Sequence, residues 1–323
     1  MVSADLRFMQ AAINLSLRGR GLATPNPNVG CVIVRDGHVV GRGWTQAGGR
    51  PHAEAMALAQ ASDAARGSTA YVTLEPCAHE SARGPKCAGL LIAAGVAKVV
   101  VAAGDPDPRT NGAGVAKLRA AGIAVAEGVL VYEAHTAMAG YFSQREYGRP
   151  FVTLKLATSL DGCIALANGE SQWITGPEAR AHAHLERAQS DLIIVGGNTL
   201  RTDDPRLDVR LAGLEDRSPR RAVLTRGAVP GNWEGISSPH DINALDAHYL
   251  LVEGGAGAAA AFLRDDLVDR LLLYRAPILI GGGRAALGDI GLRRLADAHN
   301  RWKLASSRRL GKDDLETYYR IRG

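Results

Sequence analysis

Residues 70–77 read Ala-Tyr-Val-Thr-Leu-Glu-Pro-Cys, with His52-Ala-Glu54 upstream and Cys87 downstream. The apolar run 70–74 predicts a buried strand, while residues 52–61 and 87–94 have the apolar spacing of helices. His52 and Cys87 open those helices and Cys77 follows the strand directly, so the three side chains can converge. This stretch therefore predicts an α/β domain built around a candidate site.

The residue types at these positions favour a catalytic zinc ion. Three nitrogen and sulfur ligands suit Zn²⁺ because the open fourth position holds a water whose pKa the metal lowers. The candidate ligands are His52, Cys77 and Cys87. Glu54 lies two residues after His52, where it stays off the metal but can take a proton from that water and deliver it to a leaving amine.

Zinc deaminases carry this arrangement as His-x-Glu with Pro-Cys-x-x-Cys, in which the glutamate is not a ligand. Here nine residues separate the two cysteines, so a loop must return Cys87 to the metal. A structural zinc site would need a fourth protein ligand. Cys31 lies in the apolar run 29–34 and Cys163 lies far along the chain, but His79 stays open as an additional ligand.

Length and composition limit the possible classes of protein. The 323 residues, 46% of them hydrophobic and 22% charged, predict a folded protein of about two domains. Four cysteines are too few for disulfide bonds to stabilise a fold of this size. This low count favours a reduced cytosolic setting. The first residues lack a secretory signal pattern, and the apolar stretch 87–104 is interrupted by Gly95 and Lys98. We expect a cytoplasmic protein with no membrane role.

The rest of the first half alternates helix and strand patterns. Ser3 is a possible N-cap for a helix with apolar residues up to Leu17, and Asp36-Gly37 is a hairpin turn between strands 29–34 and 39–44. The remaining pattern predicts a strand at 98–102, a helix at 115–121, a strand at 123–126 and a helix at 133–146. This order predicts a three-layer α/β/α sandwich.

Turn residues 146–150 separate this pattern from a second one, so we place domains at 1–148 and 149–323. The second pattern predicts helices at 177–189 and 256–264 and strands at 151–157, 191–195, 221–224 and 249–253, with later strands near Leu271, Ile278, Trp302 and Tyr318. The second domain is therefore also expected to be α/β.

Several blocks of sequence together resemble the bifunctional riboflavin-biosynthesis deaminase/reductase family. In chain order they are Pro25-Asn-Pro-Asn-Val-Gly30, Pro51-His-Ala-Glu54, Thr73-Leu-Glu-Pro-Cys77-Ala-His79 with Cys87, Asp105-Pro-Asp-Pro108, Lys155-Leu-Ala-Thr-Ser-Leu-Asp-Gly162, Gly169-Glu-Ser-Gln-Trp-Ile-Thr175 and Val252-Glu-Gly-Gly255. Their order and spacing cover nearly the whole chain, which makes the resemblance far more specific than any single motif.

The resemblance implies two consecutive reactions. A cytidine-deaminase-like N-terminal domain would use one zinc ion to hydrolyse the 2-amino group of 2,5-diamino-6-(5-phosphoribosylamino)pyrimidin-4-one. A dihydrofolate-reductase-like C-terminal domain would then use NADPH to reduce the ribosyl side chain to ribityl. The implied partners are these small phosphorylated molecules, without nucleic acid or membrane, and we expect a homo-oligomer, either a dimer or a tetramer.

The resemblance also assigns residues to the deaminase site. His52, Cys77 and Cys87 would hold zinc and Glu54 would move the proton. The first substrate would be contacted by Asn28, His79 and Asp105. Arg83 would bind the ribose phosphate from the loop between the cysteines, with Lys86 as a competing candidate.

In the reductase domain, residues 254–257 form a glycine-rich turn between a predicted strand and helix, where backbone amides can cradle a phosphate. By resemblance, NADPH would contact Ala157, Trp173, Thr199, Asp203, Gly255, Ala256 and Gly257. The ribotide would contact Ser171, Arg187, Leu207, Arg210 and Glu253. Lys155 with Glu253 would orient or protonate the opening ribose imine.

One stretch departs from the family pattern. The glycine- and proline-rich residues 226–248 leave little room for the extra strand and helix that the family usually has there. Arg226 is a candidate for selecting the cofactor 2′-phosphate. The shortened stretch leaves the preference for NADPH over NADH open, and a deaminase with an impaired reductase is one alternative.

Two other functions compete with this interpretation. A deaminase of bases in nucleic acid would fit the zinc residues and the sequence pI of about 9.1, but it has no use for the second domain. A zinc-stabilised binding module would need a fourth protein ligand and would not depend on Glu54.

Overall fold

The computed structural model describes residues 4–79 and 83–322, so the proposed N-cap Ser3 lies outside the described residues. The chain divides into two compact units, Met1–Gly148 and Arg149–Gly323. Each unit has its own buried apolar core. Among the described residues, no helix has the length and apolar character needed to cross a bilayer.

The described part of the first unit alternates strands and helices. Its strands are β1 (Gly30–Arg35), β2 (His38–Trp44), β3 (Thr69–Leu74), β4 (Lys98–Ala103) and β5 (Ala124–Glu127). Its helices are α1 (Ala4–Ser16), α2 (Ala53–Ala61), α3 (Cys87–Ala94), α4 (Ala113–Ala120), α5 (Val131–Ala137) and α6 (Ala139–Tyr147). The strands form one sheet in the order β2-β1-β3-β4-β5. Strand β1 runs antiparallel to β2 and β3, whereas β3, β4 and β5 are parallel.

Helices cover both faces of this sheet. Cys31 pairs with Gly43, so Gly30 and Gly43 face opposite sides. A Cβ at Gly30 would lie 1.9 Å from the carbonyl oxygen of Ala12 in α1, and one at Gly43 would lie 2.2 Å from that of Ala53 in α2. Both helices therefore pack directly on the strand backbones, and the predicted three-layer arrangement is confirmed.

The second unit is built on a mixed sheet of eight strands among its described residues, in the order β10-β9-β8-β11-β6-β12-β15-β14. Its strands are β6 (Phe151–Thr158), β7 (Cys163–Ala165), β8 (Leu192–Gly196), β9 (Arg220–Leu224), β10 (Glu234–Ile236), β11 (Tyr249–Val252), β12 (Arg270–Arg275), β13 (Arg284–Ala285), β14 (Trp302–Leu310) and β15 (Asp313–Arg320). Its helices are α7 (Pro177–Ala188), α8 (Gly197–Asp203) and α9 (Ala256–Arg264). The strands from β10 to β12 are parallel, β15 runs antiparallel to β12, and the edge strand β14 runs antiparallel to β15.

Three local predictions differ from the structure. The helix predicted at 133–146 is divided into α5 and α6 at Met138, whose backbone has φ −108° and ψ 22°. The strand predicted near Ile278 is absent from the described residues there; instead β13 pairs antiparallel with β7. The short stretch 226–248 does hold a strand and a helix in reduced form, namely β10 and a 3₁₀-helix at Pro239–Ala244.

Candidate active sites

The first site lies where β3 ends and α2 and α3 begin. His52 is the residue before α2, Cys77 follows β3, and Cys87 is the first residue of α3. Glu75 fixes the chain between β3 and Cys77, because its buried carboxylate accepts hydrogen bonds from the backbone N–H groups of Asp105, Gly112, Gly114 and Val115. The end of β3 and the starts of α2 and α3 therefore position all three predicted ligands.

The ligand atoms lie close to the spacing of a tetrahedral zinc site. His52 Nδ1 lies 3.2 Å from Cys87 Sγ and 3.7 Å from Cys77 Sγ. Tetrahedral zinc, with bonds of about 2.3 Å to sulfur and 2.0–2.1 Å to nitrogen, separates neighbouring ligand atoms by roughly 3.5–3.8 Å. The three ligand atoms lie within 4.8 Å of one another, and both thiols are buried. The donor set and its spacing fit a zinc ion.

Charge at the site favours a thiolate ligand. Hydrogen bonding to Cys87 and the proximity of His52 hold the pKa of Cys77 below its ordinary value. His79 does not join the cluster: its Nδ1 lies 3.2 Å from Thr110 Oγ1. Cys31 lies in β1 and is fully buried in the apolar core. Of the described residues in this region, three therefore form the ligand set, which fits a catalytic zinc better than a closed structural one.

Glu54 lies in the first turn of α2 and is 3% exposed. Its side chain lines the same cavity as His52 and Cys77. Burial raises the pKa of the Glu54 carboxyl above its ordinary value. A buried carboxyl beside the ligand cluster can hold and release a proton, as its predicted role requires.

This cavity has a volume of about 280 Å³ and the shape of a pocket for a small polar molecule. Beyond the zinc residues, its polar lining comprises Asn26, Thr45, Arg50, Glu75, His79, Arg83, Asp105, Asp107, Arg109, Tyr141 and Arg145. The four arginines make one part of the lining cationic, which suits an anionic group on the ligand.

Asp105 and His79 lie in the cavity as predicted. Tyr141 donates a 2.7 Å hydrogen bond to Asp105 Oδ1, and the backbone N–H of Asp107 donates to the same oxygen. Burial raises the pKa of the Asp105 carboxyl. Asp107 binds the guanidinium groups of Arg109 and Arg145 at 2.6 Å and 3.0 Å. The sequence analysis did not identify Tyr141 or Arg145, because both come from α6, far along the chain from the zinc motifs.

The structure does not place Asn28 in the cavity. Its side chain is 1% exposed and donates hydrogen bonds to the backbone carbonyls of Ser16 and Ala137. Asn26, two residues earlier in the same Pro-Asn-Pro-Asn stretch, lines the cavity instead. A repeated Asn-Pro pattern offers two equivalent candidates, and only the fold distinguishes them.

Of the two candidates for the phosphate, Arg83 lines the cavity and Lys86 does not. The Arg83 guanidinium donates to the carbonyl of Gly48 and, at 3.4 Å, to Asn26 Oδ1. Residues 80–82 of the same loop lie outside the described residues.

A second cavity, of about 610 Å³, lies in the second unit at the carboxyl ends of β6, β8 and β11. The predicted residues that line it are Lys155, Ala157, Ser171, Thr199, Asp203, Glu253, Gly255, Ala256 and Gly257. Ligands of parallel α/β sheets bind at this edge. Its volume falls within the range of about 300–1,000 Å³ that is usual for pockets that bind small molecules and cofactors.

The glycine-rich turn 254–257 joins β11 to α9, with Gly255 before the first helical residue. Its N–H donates to Thr199 Oγ1 at 3.2 Å. A Cβ at Gly257 would meet no atom within 4 Å, so packing within the chain does not require this glycine. The bare backbone of the turn lines the cavity at a helix N-terminus, an arrangement that fits a cofactor phosphate.

Lys155, Glu253 and Arg187 form a chain of charges beside this cavity. Arg187 forms two hydrogen bonds with Glu253, at 2.7 Å and 2.9 Å, and Lys155 Nζ lies 3.6 Å from Glu253 Oε2. Burial alone would raise the pKa of Glu253, but Lys155 and Arg187 lower it to about 2. Arg187 therefore binds a carboxylate of its own chain rather than pointing freely at a ligand phosphate.

Besides Arg187, four predicted residues do not line the second cavity. Trp173 is 65% exposed, with the Arg180 guanidinium 4.8 Å from its ring centre. Leu207 is buried in a core cluster with Val195, and Arg210 forms an ion pair with Asp208. Arg226, the candidate for the 2′-phosphate, is exposed in the loop after β9. Trp173, Leu207 and Arg210 were expected to contact ligands because of the family resemblance. Such contacts depend on loop conformation, which the sequence does not specify.

Arg284 lines the second cavity and was missed. Its guanidinium rests against Gly169, where a Cβ would lie 3.0 Å from Nη2 and where φ is +97°. The sequence signal for this region is the glycine run Gly281-Gly282-Gly283 before it, since glycine allows a backbone to approach a ligand closely.

Comparison with known proteins agrees with both sites. Residues 2–103 match the family model of the cytidine and deoxycytidylate deaminase zinc-binding region. Residues 150–232 and 241–315 match the RibD C-terminal domain, with the interruption inside the short stretch 226–248. These matches confirm the predicted fold class of a cytidine-deaminase-like domain followed by a dihydrofolate-reductase-like domain, and they confirm zinc and NADPH as cofactors.

Relatives match the chain from end to end. It is 40% identical to the riboflavin biosynthesis protein RibD of Escherichia coli over 96% of this chain and 97% of that protein. The RibD structure from Acinetobacter baumannii superposes with a TM-score of 0.89 at 37% identity, covering 99% of both chains. A deaminase/reductase structure from Thermotoga maritima gives a TM-score of 0.88 at 32% identity, covering 98% of this chain and 99% of that one.

Proposed function

The chain belongs to the RibD family of riboflavin biosynthesis enzymes, and on that basis we propose which residues carry each of its two activities. It is a bifunctional enzyme, with a zinc-dependent deaminase and an NADPH-dependent reductase. The substrate that we propose for the deaminase is 2,5-diamino-6-(5-phosphoribosylamino)pyrimidin-4-one. The reductase then converts the ribosyl side chain of the deaminated product to ribityl.

In the deaminase unit, His52, Cys77 and Cys87 hold the zinc ion. When bound, zinc supplies a water of lowered pKa as the nucleophile. The Glu54 carboxyl would take up the proton released in hydrolysis and pass it to the departing amine, as its burial beside the ligands and its raised pKa allow. The observation that carries this proposal is the convergence of the three ligand atoms within 4.8 Å next to the Glu54 carboxyl.

Other residues of the first cavity position the substrate. Asp105 and His79 present hydrogen-bonding groups to the pyrimidine, and a hydrogen bond from Tyr141 holds Asp105 in place. The guanidinium groups of Arg50 and Arg83 provide the cationic part of the lining that suits the ribose phosphate, whereas Arg109 and Arg145 are paired with Asp107.

In the reductase unit, the turn at residues 255–257 binds cofactor phosphate, with Thr199, Asp203 and Ala157 along the same cavity. We also assign Arg284 to cofactor binding. Among the described residues that line the cavity, the only other cationic side chain is Lys155, and it lies beside Glu253. Lys155 donates a proton to the ribose as it opens, and Glu253, held by Arg187, keeps the ammonium group in place. Ser171 contacts the ribotide.

Cys87→Ser tests the assignment of the two sites. We expect loss of bound zinc and of ammonia release, while NADPH-dependent reduction of the already deaminated ribotide continues. Cys31→Ala is the matched control, because Cys31 lies in the same unit but outside the ligand cluster. Retention of zinc in Cys87→Ser, or loss of both activities together, would contradict separate sites.

We also propose that the enzyme is cytoplasmic and forms a homo-oligomer, a dimer or a tetramer, that acts on small molecules and not on nucleic acid. Sedimentation velocity of the full chain tests the assembly, for which a monomer at micromolar concentration would be the contrary result. Deaminase rates that do not respond to added single-stranded nucleic acid would support the choice of substrate class.

A further inference from the structure

The carboxamide of Asn26 lies against the zinc ligand His52 on the side away from the cysteines. His52 directs Nδ1 toward both sulfur atoms, at 3.2 Å and 3.7 Å. Its other ring nitrogen, Nε2, lies 2.8 Å from the Asn26 side-chain nitrogen. The imidazole therefore has one nitrogen for the metal and one for Asn26.

Asn26 is held firmly in this place. It lies between Pro25 and Pro27, and its backbone N–H donates to the carbonyl of Ala23. Gly49 packs directly on its side chain, because a Cβ at Gly49 would lie 2.7 Å from Asn26 Cγ. The buried Asn28 anchors the same loop through its hydrogen bonds to the backbone of Ser16 and Ala137. The loop thus fixes Asn26 from both ends.

The position of the proton on the His52 ring determines which Asn26 atom must face His52 when zinc binds. A neutral imidazole that coordinates through Nδ1 carries its proton on Nε2, which is then a hydrogen-bond donor. A donor needs an acceptor, and the carboxamide offers one in Oδ1. Rotation of the carboxamide by half a turn exchanges its oxygen and nitrogen without moving the rest of the side chain.

We propose that Asn26 is a positioning residue that fixes the proton on His52 Nε2 and so presents Nδ1 to the zinc ion. The inference rests on the proposed zinc site of His52, Cys77 and Cys87. Partners of this kind, which hydrogen bond to the far nitrogen of a ligating histidine, orient the ring and raise its basicity as a ligand.

The proposal has a consequence for Arg83. In the described orientation, Arg83 Nη1 lies 3.4 Å from Asn26 Oδ1. Once Oδ1 turns toward His52, the carboxamide presents its NH₂ group on that side, which cannot accept from a guanidinium. The Arg83 guanidinium then gives up this contact and keeps its hydrogen bond to the carbonyl of Gly48.

The test is the zinc affinity of single variants of the full chain, measured by competition with a chromophoric chelator at fixed pH. Asn26→Ala removes the acceptor, and we expect zinc affinity to fall by about 10- to 100-fold. Asn26→Asp keeps the size and supplies carboxylate oxygens, so affinity should stay within about threefold of the unchanged chain. A residue needed only for loop structure or for substrate contact would not give this pattern.

Arg83→Ala is the matched control, since it removes a neighbour of Asn26 that does not contact His52, and it should leave zinc affinity unchanged. Unaltered affinity in Asn26→Ala, with only the KM for the pyrimidine raised, would overturn the proposal. So would a loss in Asn26→Asp as large as in Asn26→Ala. If Asn26→Ala does not fold by circular dichroism, Asn26→Asp still decides the matter, because a folded Asn26→Asp chain with weak zinc binding is a contrary result.

Failure of the underlying zinc site is separately visible. The unchanged chain should bind one zinc ion and Cys87→Ser should not. If those two measurements fail, the ligand assignment is wrong, whereas failure of the Asn26 variants alone leaves it intact.

Discussion

At the scale of single residues, Glu54 carries the most direct prediction. Glu54→Gln preserves the shape of the side chain but cannot accept a proton, so ammonia release should fall by about 100-fold or more while zinc stays bound. Steady-state ammonia assays and metal analysis check the two parts. Glu127→Gln, at an exposed ion pair with Arg119, is the control and should retain full activity. Near-normal turnover in Glu54→Gln would remove this residue from the mechanism.

The reductase cavity makes a second prediction at this scale. Arg284 and the glycine-rich turn 254–257 line the same cavity, and Gly288, four residues after Arg284, donates to the carbonyl of Ala256 in the first turn of α9. Arg284→Ala should therefore weaken binding of NADPH and NADH by similar factors of about tenfold, because both carry the diphosphate.

Fluorescence titration of each nucleotide checks this prediction. Arg226→Ala is the control, since Arg226 does not line the cavity, and it should bind both nucleotides normally. A loss confined to NADPH in Arg284→Ala would place Arg284 at the 2′-phosphate instead. A larger loss of NADPH affinity in Arg226→Ala would instead support Arg226, the candidate from the sequence, as the residue that binds the 2′-phosphate.

The sequence identified the zinc residues more securely than the substrate residues. His52, Cys77 and Cys87 each stand at the end of a helix or strand whose apolar pattern is strong, so their convergence could be predicted. The choice between Asn26 and Asn28 could not be predicted, because each follows a proline and only the packing of the loop buries Asn28. Arg187 was predicted to bind phosphate, yet Glu253 lies within hydrogen-bonding distance, which no spacing in the sequence indicates.

At the scale of secondary-structure elements, the contact between α2 and β2 positions the zinc site. A Cβ at Gly43 would lie 2.2 Å from the carbonyl oxygen of Ala53 and 2.7 Å from the backbone nitrogen of Ala57. Gly43→Ala should push α2 away from the sheet, and His52 and Glu54 move with it. We expect a loss of about 1–3 kcal/mol in the free energy of unfolding of the deaminase unit, together with weaker zinc binding.

Gly89→Ala is the matched control for this substitution. Gly89 is exposed in α3, and its nearest contact for a Cβ is the Lys86 side chain at 4.0 Å. Alanine should stabilise the helix by about 0.5–1 kcal/mol. Urea unfolding followed by circular dichroism, with zinc content measured in parallel, compares the two variants. Equal stability of the two would show that α2 tolerates displacement.

The elements themselves were predictable where the apolar pattern was long and uninterrupted. Strands β3, β4, β6 and β11 fall within a residue or two of their predicted bounds. The break between α5 and α6 was missed because the apolar spacing continues through Met138, and the backbone turns there without a proline or glycine to mark it. The strand expected near Ile278 was wrong for a different reason: three glycines follow it, and among the described residues of this region the chain pairs at β13 instead.

The short stretch 226–248 shows what sequence length alone can miss. It was expected to lack the additional strand and helix, but three residues suffice for β10 to pair with β9, and a capping box at Ser238 begins a 3₁₀-helix. The family match is interrupted at residues 233–240 and resumes afterwards. Other elements line the reductase cavity, and none of its described lining residues belongs to the stretch 226–248.

At the scale of the whole molecule, buried charge makes the reductase unit sensitive to acid. Lys155 and Arg187 outweigh burial and lower the pKa of Glu253 from 4.5 to about 2. A folded-state pKa below the ordinary value stabilises the folded protein above pH 4.5, and this contribution is lost as the pH falls from about 4.5 toward 2. The stability of the reductase unit should therefore decrease across that range.

Glu253→Gln cannot titrate, so its stability should depend less steeply on pH in this range while being lower at pH 7, where Arg187 has lost its partner. Chemical unfolding at a series of pH values checks both effects. Glu234→Gln is the control, because its ion pair with Arg220 is partly exposed and should contribute little. If the free energy of unfolding of Glu253→Gln changed with pH as steeply as that of the unchanged chain, the proposed effect of Lys155 and Arg187 on Glu253 would be contradicted.

The central claim is that one chain performs hydrolysis at a zinc site in its first unit and hydride transfer in its second. Mass spectrometry of the products formed from the diaminopyrimidine ribotide tests it most directly. Without NADPH we expect a gain of about one mass unit, as oxygen replaces the amine, and with NADPH a further gain of about two. An unchanged mass without NADPH, or no second increase with it, would contradict the claim.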